Sequence, residues 1–524
     1  MSRFLPACAA LLGLGLGPGP EPSNPIDRHV EAALKAAGVD PAPLCDDATF
    51  LRRAWLDLAG TVPPVDRVRR FLADRDPDKR AKVVDELLAS EGYARRWAHL
   101  WLRTLTGRRG VPDEEHDGRR LLEHLQRALG RNDPYDRLVR ELVSASGLAD
   151  ENGAVNFALR YRANPVDLAG AVGRTFLGVR IQCAQCHDHP FADWNQDQFW
   201  GLAGFFARTW RFFVDEPGFE LTGVVEAGRD RGIRVPGQPA DPKPAEGDKE
   251  EDEQARTRRE YRKVPAVYLD GRAAGADEAS LRAALADALV DPKRSPTFAA
   301  NAVNRVWAAM FGRGLLEPLD GFTLRGTPAP PPLLNELADA FVARRYDLAA
   351  LIRTIATSKA YQRASRGPGD PATWSRMAVR PLDEDQLFDA VSDVGGLTHE
   401  PSEEEAREMS PEEAEEEQAY RDLLPREAFG DQNLSQTRAL ALLNGEIVHE
   451  AVEAGARACL AVNGRNVGRA HVEWLILATL SRAPTEEEVR EALELIGGAR
   501  TRRRDGLEDV LWALLNSSEF VSNH

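Results

Sequence analysis

Helix punctuation recurs along most of this chain and constrains its fold more than any other feature. At Asp133-Pro134-Tyr135-Asp136, an Asp able to accept from orphan backbone N–H groups precedes a Pro suited to a first helical turn, and Leu138 and Leu142 then fall on one face. Similar signals predict short to medium helices at 46–58, 65–74, 79–89, 93–106, 117–129 and 165–181. They resume at 278–290, 296–311, 332–344, 347–358, 383–394, 436–460, 467–481, 485–497 and 506–517. Thr485 and Glu488 have the spacing of a capping box, in which each side chain satisfies the other's backbone donor.

Between the two helical stretches the text changes. Residues 219–225 and 263–269 have strand-like content and flank a Pro-rich, charged segment, 236–262, that reads as a linker. The two flanks are expected to pair as a small sheet. An acidic run at 402–417 reads as a solvated face. At 524 residues the chain exceeds what one hydrophobic core usually organises, so two or three domains are expected. The fold class is therefore expected to be mainly α: two irregular helical domains, 27–212 and 276–524, joined by a charged linker at 213–275 with a small β element.

The N-terminus carries Arg3, an apolar stretch at 4–16 and then Gly17-Pro18-Gly19-Pro20. Such a stretch is too short to span a bilayer and suits the core of a secretory signal, so residues 1–19 are read as a signal peptide and the protein as extracytoplasmic. Cys8 comes too early in the apolar run for a lipid-attachment site, and no later run reaches transmembrane length. A formal charge of −16 and a pI near 5.3 argue against a nucleic-acid partner, which would require a basic patch. Five cysteines are few for an exported chain of this size, so disulfides do not carry the fold.

Two of those cysteines lie in one motif. Residues 181–194 read Ile-Gln-Cys-Ala-Gln-Cys-His-Asp-His-Pro-Phe-Ala-Asp-Trp. For c-type haem the spacing has a geometric reason: thiols three positions apart can each form a thioether, while the adjacent imidazole reaches the iron. Cys183 and Cys186 would then be attachment points and His187 the proximal ligand. Zinc is the alternative, held by Cys183, Cys186 and His187 or His189, with Asp188, Asp193 or Cys45 available as a fourth donor. A redox dithiol or disulfide is a third reading, although no thioredoxin-like βαβ pattern surrounds it. Candidates for a sixth iron ligand are Met310, Met377, Met409, His99, His124, His189, His449 and His471. Phe191, Trp194, Phe199, Trp200, Phe205 and Phe206 follow closely and suit either a haem crevice or helical core packing.

The stretch from Phe176-Leu-Gly-Val-Arg-Ile-Gln to the motif and on to Gly201-Leu-Ala-Gly-Phe-Phe206 resembles the planctomycete cytochrome-like domain of unknown function called the PSCyt-two type. Arg53-Ala-Trp-Leu-Asp-Leu-Ala-Gly-Thr-Val-Pro63, Asp78-Lys-Arg80, Leu87-Leu-Ala-Ser90 and the stretch from Tyr93 to Trp101 extend that resemblance. The second half resembles its habitual partner, the PSD-one type, through Asn304-Arg-Val-Trp307, Phe311-Gly-Arg-Gly314, Tyr346-Asp-Leu348, Ser358-Lys-Ala-Tyr361, Leu443-Asn-Gly445, Leu480-Ser-Arg482 and Leu514-Leu-Asn-Ser-Ser-Glu-Phe520. The resemblance implies an extracytoplasmic protein with one covalent haem c at Cys183, Cys186 and His187. It also implies company with sulfatase-like and polysaccharide-degrading proteins, and it assigns no reaction. Ala329-Pro-Pro-Pro332 departs from the partner type's usual Pro-Ser-His-Pro, so a role for that histidine does not carry over.

Gly312 and Gly314 suit the end of the helix containing Trp307, and Arg305 and Arg313 are expected to pair with Glu317 or Asp320, with binding of an anionic sugar as the alternative. The chain has no Gly-x-Ser-x-Gly elbow, phosphate loop, dinucleotide fingerprint or His-Glu-x-x-His. A carbohydrate-active enzyme using paired carboxylates stays open as a further alternative, with no pair singled out.

Overall fold

A computed structural model describes residues 24–107, 118–188, 194–216, 219–228, 233, 263–275, 278–323, 330–397, 442–443, 445–498 and 503–524. The signal-peptide reading, most of the linker and the acidic run at 402–417 lie outside the described residues. The fold is mainly α, as the punctuation predicts. Helices α1 (Pro25–Ala37), α2 (Asp47–Ala59), α3 (Val65–Ala73), α4 (Lys79–Leu88), α5 (Glu91–Thr106), α6 (Gly118–Gly130) and α7 (Tyr135–Ser144) open the chain. Strand β1 (Gly147–Leu148) and helices α8 (Val155–Arg160), α9 (Pro165–Val172) and α10 (Gln196–Gly204) follow. After strands β2 (Thr209–Glu216) and β3 (Phe219–Glu226) come α11 (Leu281–Val290), α12 (Pro296–Phe311), α13 (Pro332–Ala343), α14 (Leu348–Ala356) and α15 (Lys359–Gln362). Strand β4 (Arg380–Pro381) leads to α16 (Glu384–Gly395), α17 (Glu446–Asn463), α18 (Arg469–Leu480), α19 (Glu486–Gly498), α20 (Arg503–Leu515) and β5 (Ser522–Asn523).

Local chemistry accounts for many helix ends. The Ser90 hydroxyl accepts from Tyr93 N at the start of α5, and Gly312, left-handed at φ +82°, closes α12 by donating to the Ala308 carbonyl. The Thr485–Glu488 capping box forms as expected, with contacts of 2.7 and 3.2 Å.

Three local expectations are corrected. Asp133 does not cap α7: its carboxylate takes Arg131 at 2.5 Å, and Pro134 occupies the cap position without a side-chain bond. The helix expected over 165–181 ends at Val172, widens into a π turn at Gly173–Leu177 and reverses at Gly178, which is left-handed at φ +67°. Arg305 and Arg313 do not take the expected carboxylates either. Arg305 donates to Asn301 and to the Arg174 carbonyl, Arg313 lies over the Trp374 ring, and Asp320 goes to Arg180.

The sheet also differs from expectation. Its order is β1-β3-β2, all antiparallel, so 219–226 pairs with 209–216 and with Gly147–Leu148. The other strand-like flank lies against α10 instead, where Val267 N donates to the Gly201 carbonyl at 3.1 Å. Gly201 and Gly204 lack the Cβ atoms that would stand 2.6 and 2.5 Å from the Val267 and Pro265 carbonyls, so this helix face accepts a crossing backbone.

Apolar side chains form two cores. The larger runs from Ile26 in α1 to Tyr361 in α15, with Met377 and Leu477, and so draws on helices from both sides of the 213–275 segment. The smaller joins α16 to α20 with Leu56 and Val62 from the N-terminal part. At its edge Arg482 grips Glu488 at 2.7 Å and Glu519 at 2.6 Å. The Arg482 hydrogen bonds hold the Glu488 carboxyl at about 2, below its usual 4.5. A carboxyl depressed in the folded state contributes stability that is complete above about pH 4.5 and lost as pH falls toward about 2. The thermal midpoint should therefore fall with acidification through that window, and Glu488→Gln should flatten the slope; an unchanged slope would remove Glu488 from the acid response.

Candidate functional site

The motif lies on a short 3-10 turn, Ile181–Gln185, immediately after the Gly178 reversal. With three residues per turn, side chains at i and i+3 share a face. Ile181 and Ala184 are both fully buried, which anchors one face in the core. Cys183 and Cys186 occupy another, and both are exposed, free thiols. Gly173 permits the inward face: a Cβ there would lie 2.7 Å from Cγ2 of Ile181.

His187 is exposed beside the thiols, and its Nδ1 lies 2.8 Å from the Asp188 carbonyl. A carbonyl only accepts, so this contact requires a proton on Nδ1 and leaves the Nε2 lone pair of the neutral ring free to bind a metal. The Asp188 carboxylate accepts from Gln196 N at 3.0 Å, and the Gln196 amide donates back to the Gln185 carbonyl at 3.2 Å. These two bonds tie the turn to the start of α10, whose Asn195–Gln198 capping box fixes the helix end. The motif spelled out the thiols and imidazole, but the Gln196 brace emerges only when residues eight to eleven positions apart meet.

Other candidates are placed as follows. Among the described residues no group of three His, Cys, Asp or Glu side chains is arranged to hold a metal. His189 and Asp193 lie outside the described residues, as do Met409 and Phe191. Cys45 is buried in the larger core, where burial pushes its thiol up. Met310 and Met377 are buried in that core as well. His99 is near Asp385 at 3.8 Å, and His124 is near Glu141 at 3.5 Å. His449 is exposed on α17. His471 uses both ring nitrogens, at 3.3 Å to Gly468 N and 2.7 Å to the Gly464 carbonyl. Trp194, Phe199, Trp200, Phe205 and Phe206 are all buried in the larger core.

The donor set fits covalent haem attachment in two respects: both thiols are accessible on one short turn, and the neighbouring imidazole has its distal nitrogen free. Zinc would use the same thiols with His187 or His189 and one further donor.

Fold and site together define a mainly helical protein that displays a thiol–thiol–imidazole turn on its surface. Residues 25–211 match the family model PSCyt2, protein of unknown function (DUF1549), and residues 281–429 match PSD1, protein of unknown function (DUF1553). The chain carries a PSCyt2 region followed by a PSD1 region, in the order that the resemblance implied. No curated protein and no solved structure matches it. Among the described residues no helix is long and apolar enough to cross a membrane.

Proposed function

We propose that this chain is an exported protein carrying one covalent c-type haem, which exchanges electrons with an extracytoplasmic partner in a polysaccharide-processing system. The observation that carries the reading is the pairing of two exposed thiols on one turn with an imidazole whose Nδ1 is committed to the Asp188 carbonyl. Cys183 and Cys186 attach the group, and His187 Nε2 binds its metal. Haem would supply a one-electron iron couple, and the protein would supply attachment, orientation and exposure to a partner. That partner is an extracytoplasmic redox protein, or a sulfatase-like or polysaccharide-degrading protein acting beside it.

One observation favours zinc as the second reading. Among the described residues the aromatic side chains after the motif, Trp194, Phe199, Trp200, Phe205 and Phe206, are committed to the core, so these do not wall an exposed crevice, and a small ion has less need of one. In that reading Cys183, Cys186 and His189 stabilise a binding or scaffold protein.

One experiment separates the two. The protein is exported through a host with c-type cytochrome maturation, then examined by visible spectrum, haem stain of a denaturing gel and metal analysis, with Cys183→Ala/Cys186→Ala as control. A haem band that survives denaturation and vanishes in the control is the expected result. Colourless wild-type protein overturns the haem reading, and stoichiometric zinc lost in the same control establishes the alternative.

A further inference from the structure

We infer that the PSD1 region acts as the clamp that positions the PSCyt2 motif, with Asn301, Arg305 and Asp320 as positioning residues. The inference deepens the proposed function, since it concerns how the same thiol–imidazole turn is held, and its geometry is independent of which group the turn binds.

The clamp grips the chain over residues 174–180, immediately before the motif. On α12, Asn301 is fully buried and donates through Nδ2 to the Thr175 carbonyl at 2.8 Å. One helical turn on, Arg305 donates through Nη2 to the Arg174 carbonyl at 2.8 Å, and its Nε reaches Asn301 Oδ1 at 3.2 Å. These two carbonyls lie within the π turn, where the ordinary helical ladder is interrupted and carbonyls turn to partners outside it.

A second grip comes from the segment after α12. Phe322 N donates to the Gly178 carbonyl at 3.0 Å, and Val179 forms an antiparallel bridge with Gly321. Arg180 pairs with Asp320 at 2.8 Å. Gly178 admits this closeness, because a Cβ there would stand 2.6 Å from Asn301 Oδ1 and 2.7 Å from the Phe322 ring.

Five contacts from one continuous stretch of the second region, 301–322, thus meet five of the seven residues 174–180 of the first. Cys183 lies only three residues beyond the last gripped position. With its inner face fixed by Ile181 and Ala184, the direction in which the turn presents Cys183 and Cys186 is set where the clamped strand leaves Arg180. The Asn304-Arg-Val-Trp307 stretch therefore has a task beyond packing: Arg305 faces the motif strand, while Trp307 faces the core.

The test is hydrogen exchange, followed by mass spectrometry, on full-length thiol-form protein without haem or zinc, so the outcome stands apart from the haem reading. Asn301→Ala should speed exchange of amides in 173–188 by about tenfold, with those of α2 changed less than about twofold. Because Asn301 is fully buried and its truncation burdens the fold itself, Asp320→Asn provides a second arm, expected to speed exchange at 179–188 by about threefold. The reaction rates of Cys183 and Cys186 with a thiol reagent should change in both variants while the thermal midpoint of Asp320→Asn stays near wild type. Unchanged exchange at 173–188 in both variants, or an equal rise in α2, overturns the inference. A protein that proves colourless but shows the localised acceleration keeps the clamp and loses only the haem reading.

Discussion

Asp57→Ala is expected to cost about 3–5 kcal/mol in denaturant unfolding, because it leaves a largely buried guanidinium without its counter-charge. The Asp57 side chain is 2% exposed, and Arg380 Nη2 contacts both carboxylate oxygens at 2.9 Å. Two further donors converge on it, the Tyr361 hydroxyl at 2.7 Å and Asn523 Nδ2 at 2.9 Å. Burial first, and the neighbouring Asp57 carboxylate second, push the Tyr361 phenol well above its ordinary range, which keeps it a donor. Removing the carboxylate strands three donors at once. Asp57→Asn keeps the shape and one acceptor oxygen, so it should cost less than Asp57→Ala. The position matters as much as the chemistry: Tyr361 belongs to the larger core, while Arg380 and Asn523 lie on the paired strands β4 and β5 beside the smaller one. The two cores should therefore loosen together. Equal m-values with a lowered midpoint would agree with that, and a loss under about 1 kcal/mol would mean the network is replaceable by water.

Trp307→Ala is expected to cost a similar amount, about 3–5 kcal/mol, for a different reason. Trp307 is fully buried, stacks on Phe311 with ring centroids 4.3 Å apart, and meets the edge of Trp374 at 5.3 Å. Truncation opens a cavity among aromatic rings that the surrounding α12 backbone cannot collapse into. Trp307→Phe fills part of that space and should lose distinctly less. If Ala and Phe variants unfolded at the same denaturant concentration, the ring stack would not be the source of stability. Reaction of Cys183 and Cys186 with a thiol reagent should be little changed in either variant, since Trp307 packs in the core while Arg305 contacts the segment before the motif.

Much of this fold was legible locally. The Ser90 cap, the Thr485–Glu488 box and the Gly312 stop operate within four residues of chain, the range over which helix propensity and capping act. The motif was legible for the same reason, since Cys183, Cys186 and His187 are adjacent whatever the chain does elsewhere. Where local signals had competitors, they failed. Asp133 carries cap chemistry, but a guanidinium two residues away satisfies its carboxylate. Residues 263–269 have strand content, but glycines on α10 accept them before a strand partner does.

The sequence by itself determined that this chain is helical, where most of its helices start and stop, and that Cys183, Cys186 and His187 stand together in one motif. Only the tertiary structure decided that the larger core joins helices from both sides of the 213–275 segment and takes in Val224, Ile233 and Tyr268 from it, that Asp57 neutralises Arg380 across 323 positions, and that α12 of the second region clamps the segment before the motif. The physical reason is range: caps and turns are settled by neighbours a few residues away, whereas a buried charge or a stray carbonyl takes whichever partner the packing brings to it.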